Sequence, residues 1–231
     1  ARAVVPHALD LGVNFVDTAP FYGFGKTERY AGDAIRPRRD QVVLSTKAGR
    51  ILAPQSGAYK RQHSWVDPLP FVDVYDYSYS GIMRSFEDSL QRLGLNRIDI
   101  LLVHDIGTMT HGEANAGHWN ALEEGGYRAL DELRAAGTAS AIGLGVNEWE
   151  VLMDAFEVGD WDVFLLAGRY TLLEQTALAP LLETCAKKHA SVICGGPSNS
   201  GVLVGGSTWN YAEAPEEIAR KVKTIEAACA D

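Results

Sequence analysis

Three polar residues stand where three hydrophobic runs stop: Asp17, Lys47 and His104. The runs are Val13-Asn14-Phe15-Val16, Val42-Val43-Leu44-Ser45-Thr46 and Ile98-Asp99-Ile100-Leu101-Leu102-Val103, and Tyr22 follows Asp17 by one short turn. A tyrosine hydroxyl is a weak acid, with a pKa of about 10 in water. A neighbouring ammonium favours the phenolate and lowers that pKa. Lys47 would supply the ammonium, Asp17 would pair with Lys47 and hold it, and His104 would hydrogen-bond a substrate oxygen and turn it toward Tyr22. Such a set moves a proton on or off a hydroxyl as it becomes a carbonyl. It holds no serine or cysteine nucleophile–base pair, so a hydride would have to come from, or go to, a bound cofactor.

Taken singly, each residue has a plainer use. An aspartate caps turns and helices, and a histidine often sits satisfied in a core. Lysine is harder to dismiss, because it is almost never fully buried without a partner. The functional reading rests on all four occurring together, three at the ends of runs that read as strands buried on both faces and Tyr22 beside them.

The elements that must position them alternate. Strands are expected at 13–17, 42–47, 98–104, 139–145, 161–167 and 191–195. Helices are expected at 1–11, 27–35, 81–93, 126–136, 148–158, 177–189 and 215–230. In the helix at 81–93, Ile82, Phe86, Leu90 and Leu93 recur at three- to four-residue spacing, and Gly94 stops it. Strands alternating with helices imply a parallel sheet, since parallel strands need crossover connections. Either a (β/α)8 barrel or a doubly wound sheet would serve. The barrel is favoured because the polar groups end several strands, as side chains at a barrel mouth do. Nor does a Gly-x-Gly-x-x-Gly follow any strand. The stretch 48–80 reads as a long irregular loop, rich in aromatics (Tyr59, Trp65, Phe71, Tyr75, Tyr77, Tyr79), suited to a substrate lid or to core packing. A second loop is expected from Asp105 to Gly126.

Composition narrows the classes. A chain of 231 residues that is 46% hydrophobic can build a large core, so disorder is excluded. The net charge of −9 argues against a nucleic-acid or anionic-membrane surface. No apolar run approaches the roughly 18 residues a membrane span needs. Three cysteines, Cys185, Cys194 and Cys229, form no close-paired framework, which suits a reducing, cytoplasmic compartment. Helical patterns lie at both ends of the chain, giving it the look of a domain cut at each side.

Two further patterns are discounted. Gly25-Lys26-Thr27 resembles the end of a phosphate-binding loop, but the required earlier glycine is Pro20. His104, His111 and His118 recur every seven residues, yet the latter two sit in a polar stretch without a patterned acidic ligand, so no metal site is assigned.

Asp17-Thr18-Ala19-Pro20-Phe21-Tyr22-Gly23, Ser45-Thr46-Lys47 and Leu101-Leu102-Val103-His104 resemble the signatures of the aldo-keto reductase superfamily, in the right order and over essentially the whole chain. The resemblance implies a single (β/α)8 TIM barrel, here lacking the first and last strands, a nicotinamide cofactor (NAD or NADP), and an Asp17–Tyr22–Lys47–His104 tetrad with Tyr22 as the acid–base. It implies that Asn147 binds the carboxamide, with Val146 where serine is usual; Asn147 as a helix cap is the competing use. It also implies that Gly195, Gly196, Pro197, Ser198, Asn199, Ser200 and Gly201 wrap the pyrophosphate, with Gly195 where many members stack an aromatic. A structural turn is the plainer reading of that stretch. Gly195 and the segment Ala167-Gly168-Arg169-Tyr170-Thr171-Leu172-Leu173 are similar to the branch holding aldose 1-dehydrogenases (D-threo-aldose, L-fucose or L-galactose type) and pyridoxal 4-dehydrogenase, which oxidise a cyclic hemiacetal to a lactone. The expected substrate is a small sugar or polar aldehyde. A general aldehyde reductase, or a non-catalytic subunit that only binds cofactor, are the alternatives.

Overall fold

The computed structural model describes residues 3–56 and 65–230. The chain divides into two compact units, Ala1–Gly143 and Leu144–Asp231.

In the first unit, β1 (Phe15–Asp17), β2 (Val43–Ala48) and β5 (Ile98–His104) pair in parallel, with Asp17 beside Ser45 and Lys47 beside Leu102. Register therefore brings the three polar strand ends to one side. α1 (Val4–Asp10) precedes β1, and α2 (Lys26–Ile35) and α3 (Tyr79–Leu93) are the crossovers. Ser78 caps α3 by accepting from the Gly81 amide at 3.2 Å. Gly94, in the left-handed region, closes it by donating to Leu90 O at 2.8 Å. Of the predicted face of α3, Ile82, Phe86 and Leu93 are buried and Leu90 is half-buried. Each fully buried side chain of this size contributes about 1.5–3 kcal/mol. Asp99, the polar interruption in β5, accepts from the Leu44 amide at 2.7 Å and meets Arg39 at 2.8 Å.

Three expectations are corrected. First, the described part of 48–80 is no irregular loop. Arg50–Pro54 (β3) and Phe71–Tyr75 (β4) form an antiparallel hairpin, and Tyr79 already begins α3. The sequence conceals the hairpin because its two arms are separated by a long connection with no tight-turn pair. Gly49 permits the entry into β3: its φ is +93°, and a Cβ there would lie 2.5 Å from the Tyr77 ring. Second, 105–126 is mostly helical, with α4 (Thr108–His111), α5 (Asn115–Ala121) and a wide turn at 122–126 leading into α6 (Tyr127–Ala135). Polarity masked short helices that bury little. Third, β1 is not buried on both faces: Phe15 and Val16 are half-buried and Val13, ahead of it, is exposed. Tyr59 lies outside the described residues.

β6 (Ala139–Val146) carries the chain across the boundary. In the second unit, α7 (Glu150–Val158) leads to β7 (Val163–Ala167), which pairs in parallel with β8 (Ser191–Gly195). The helix expected at 177–189 is present, with a π-helical segment Leu178–Leu182, kinked at Ala179, running into α8 (Glu183–Lys188). Leu152, Ala155, Trp161, Phe164, Leu166 and Leu181 are buried, and Trp161 Nε1 donates to Ala155 O at 2.7 Å. A short hairpin, β9 (Thr208–Trp209) with β10 (Ala212–Glu213), precedes α9 (Glu216–Ala228). Among the described residues no helix is long and apolar enough to cross a membrane.

Candidate active site

Strand ends and one turn assemble four side chains in the first unit. Lys47 is 1% exposed. Its Nζ donates to Asp17 Oδ2 at 2.7 Å and to Thr18 O at 2.8 Å. Burial holds the Lys47 pKa below its ordinary value, and the Asp17 carboxylate opposes that shift. The ammonium lies 4.9 Å from the centre of the Tyr22 ring. Tyr22 rides on a turn of residues 19–25, pinned where Thr27 Oγ1 donates to Tyr22 O at 2.9 Å. The Tyr22 and His104 rings are 5.9 Å apart, edge to face. His104 is 4% exposed, and its pKa lies well below the usual imidazole value through burial, then the charges of Lys47 and Arg50. It is therefore neutral at pH 7, and the 3.4 Å approach of its Nε2 to Asp105 Oδ2 is no ion pair.

Aromatic rings enclose the group. Phe21 stands 6.2 Å from His104, and Trp65 stands 5.5 Å from Phe21 and 5.7 Å from Tyr22, centre to centre. Trp65 Nε1 is a buried donor with no hydrogen-bond partner among the described residues. Of the other aromatics in the stretch read as a lid, Tyr77 is core, donating to His104 O at 2.8 Å. Tyr79 faces outward, donating to Glu132 Oε2 at 2.6 Å.

The second unit carries the other predicted residues. Asn147 Nδ2 donates to Ala167 O at 3.1 Å and Tyr211 Oη at 3.2 Å. It makes no cap bond to α7. Its Oδ1 is the acceptor available to a carboxamide N–H. After β8, the backbone runs left-handed at Asn199, Ser200 and Gly201, with φ of +48°, +59° and +105°. Asn199 is buried; its Nδ2 donates to Gly168 O at 3.0 Å and its Oδ1 accepts from Thr171 Oγ1. Gly196, Pro197 and Ser200 are exposed, and Ser198 and Gly201 are half-buried. Within this turn the Asn199 amide donates to Gly196 O at 2.9 Å and the Gly201 amide to Ser198 O at 3.0 Å, so the segment is held by its own backbone bonds. At Gly195 an added Cβ would lie 3.0 Å from Leu165 Cδ2, which would have to shift by a few tenths of an ångström to admit it.

Residues 1–230 match the Aldo/keto reductase family. The chain belongs to the aldo/keto reductase family. Its members are NAD(P)-dependent oxidoreductases. Pyridoxal 4-dehydrogenase of Microbacterium luteolum is 43% identical, over 99% of this chain and 71% of that protein. D-threo-aldose 1-dehydrogenase of a Pseudomonas species is 34% identical, over 99% and 70%. The holo form of an aldo-keto reductase from Bacillus halodurans superposes with a TM-score of 0.70 at 22% identity, covering 98% of this chain and 66% of that one. The chain thus spans just under two thirds of that structure. This likeness establishes the fold class, α/β of the (β/α)8 kind.

Several charged neighbours of this aldo/keto reductase site carry no mark of their own in the sequence. Glu28, fully buried on α2, accepts from Thr46 Oγ1 at 2.7 Å and pairs with Arg92 Nε at 2.5 Å, bracing the strand end that carries Lys47. Arg50 and Asp105 lie beside His104. A signal existed: Glu28 follows Tyr22 by one helical start, and Asp105 follows His104 directly. Arg50 was hidden inside the stretch read as a loop. The His111 and His118 rings lie 4.1 Å apart, tilted by 39°, and among the described residues no group of three His, Cys, Asp or Glu side chains could hold a metal.

Proposed function

We propose that this protein oxidises a cyclic hemiacetal, that of an aldose or of pyridoxal, to a lactone with NAD or NADP. The observation that carries the reading is the buried Lys47 ammonium, held by Asp17 at 2.7 Å and 4.9 Å from the Tyr22 ring. A bound nicotinamide supplies the hydride acceptor. Tyr22 takes the hydroxyl proton at its phenolate oxygen, the Lys47 ammonium stabilises that phenolate, and Asp17 keeps Lys47 charged and in place. His104, being neutral, offers an N–H to the reacting oxygen without competing as an acid. Trp65 and Phe21 wall the group off from water, and the Trp65 N–H gives a sugar hydroxyl a donor. Asn147 would hold the carboxamide and residues 195–201 the pyrophosphate. The aldose reading is supported by the D-threo-aldose relative and the pyridoxal reading by the more similar pyridoxal relative.

The test is nicotinamide absorbance with L-fucose, L-galactose, D-arabinose and pyridoxal, each with NAD+ and NADP+. Reduction of either cofactor by one of these is the expected result. Oxidation of NADPH by simple aldehydes alone would make the chain a general reductase. Tight cofactor binding with silence in both directions would make it a binding subunit.

A further inference from the structure

A guanidinium is buried next to the four side chains and has no part in the reaction just described. Arg50 is 6% exposed, at the first position of β3. Its Cζ lies 3.9 Å over the Phe21 ring and 4.7 Å over the Tyr75 ring, and its Nη2 donates to Tyr75 Oη. Its Nε faces Asp73 Oδ2 at 3.5 Å and its Nη1 faces Asp105 Oδ2 at 3.3 Å. Neither contact meets hydrogen-bond geometry, so charge rather than directed bonding holds them. The same oxygen, Asp105 Oδ2, is 3.4 Å from His104 Nε2. One carboxylate oxygen therefore sits between a permanent cation and the imidazole.

We infer that Arg50 is a positioning residue: by occupying Asp105 it denies that carboxylate to His104 and so keeps the imidazole neutral and turned to the substrate oxygen. The inference rests on the proposed role of His104. An opposite charge within about 4–6 Å shifts a titrating group by about one to three pH units. Without Arg50, Asp105 would favour imidazolium, and a charged His104 would rival Tyr22 as proton donor. Among the described residues, the groups around His104 include Lys47 with Asp17 from β2 and β1, Tyr22 from the turn after β1, Arg50 with its partners Asp73 and Tyr75 from the hairpin, and Tyr77 and His111 beyond its carbonyl. Lys47 and Arg50 both oppose protonation. Asp105 is the carboxylate in direct reach of the ring. Removing Arg50 thus removes one charge that opposes His104 protonation and takes one cation away from Asp105.

The experiment is a histidine-selective NMR titration of the protein from pH 9 to 5, with His104 assigned from His104→Asn. It needs no turnover, so it stays informative if the proposed reaction is wrong. In the parent protein His104 should remain neutral throughout. In Arg50→Met, and in Arg50→Gln should the methionine variant fail to fold, an imidazolium signal should appear at the acid end, the midpoint raised by about one to three units. Adding Asp105→Asn should abolish it. Arg50→Lys should keep His104 neutral. Where turnover is found, the acid limb of kcat/KM should move by the same amount. A folded Arg50→Met or Arg50→Gln protein with His104 still neutral would overturn the inference, as would an imidazolium that survives Asp105→Asn.

Discussion

Two regions of this chain carry candidate chemistry and are built by opposite means. In the first unit the groups are side chains: Lys47, Asp17, Tyr22 and His104 converge from three strand ends and a turn, and burial lowers the pKa of Lys47 and of His104. In the second, the 195–201 segment offers backbone, bent by three consecutive left-handed residues, while its buried side chain, Asn199, is spent bracing Gly168 and Thr171. The difference is one of vulnerability. A charge pair fails when either partner is removed, whereas a backbone turn fails when its dihedral angles can no longer be held. Substitutions in the two units should therefore have separable signatures, rate and pH profile in the first, cofactor affinity in the second.

The largest expected effect is Tyr22→Phe. Loss of a general acid–base group should lower kcat by about 10²–10⁴, with cofactor affinity by fluorescence titration unchanged within about twofold. Equal losses in rate and affinity would erase the distinction between the regions. Next comes Asp17→Asn, which leaves the Lys47 ammonium buried without its carboxylate. The Asp17 side chain is 24% exposed, so solvent takes over part of its role and the loss by denaturant titration should stay below the about 3 kcal/mol of a fully buried pair. Lys47→Met should cut the rate and also move the pH optimum. A slower enzyme with an unchanged pH profile would reduce Lys47 to packing.

Gly201→Val sharpens the other side. A β-branched residue is strained at a φ of +105°, at a cost of about 1–3 kcal/mol. Weaker cofactor binding with kcat preserved at saturation is expected; normal affinity would remove the segment from the cofactor site. The smallest effect is on acid stability. Burial lowers His104 well below 6.5 and His111 to about 4, so below pH 6.5 the unfolded chain binds protons that the folded one refuses. Stability should fall as pH drops from about 6.5 toward 4, and His111→Gln should flatten that fall in a melting series.

What the sequence showed and what it hid follow the same division. Strands of β-branched runs ending in a polar residue are legible because burial of Lys47 or His104 has no cheap explanation. Glycine punctuation made the ends of α3 and α6 legible for the same local reason. The β3–β4 hairpin was hidden because pairing across a long connection leaves no local mark, and Arg50 was hidden with it. The role of Asn199 as a brace was equally invisible, since the Gly168 carbonyl it meets is thirty-one residues away in sequence.

The account stands on proton transfer by Tyr22 under the Lys47 ammonium. The most direct measurement compares parent protein and Tyr22→Phe in nicotinamide reduction by the best of the four hemiacetals, with cofactor binding measured on the same samples. The parent should turn over, Tyr22→Phe should lose nearly all of that turnover, and cofactor affinity should be equal in both. Undiminished turnover in Tyr22→Phe would contradict it.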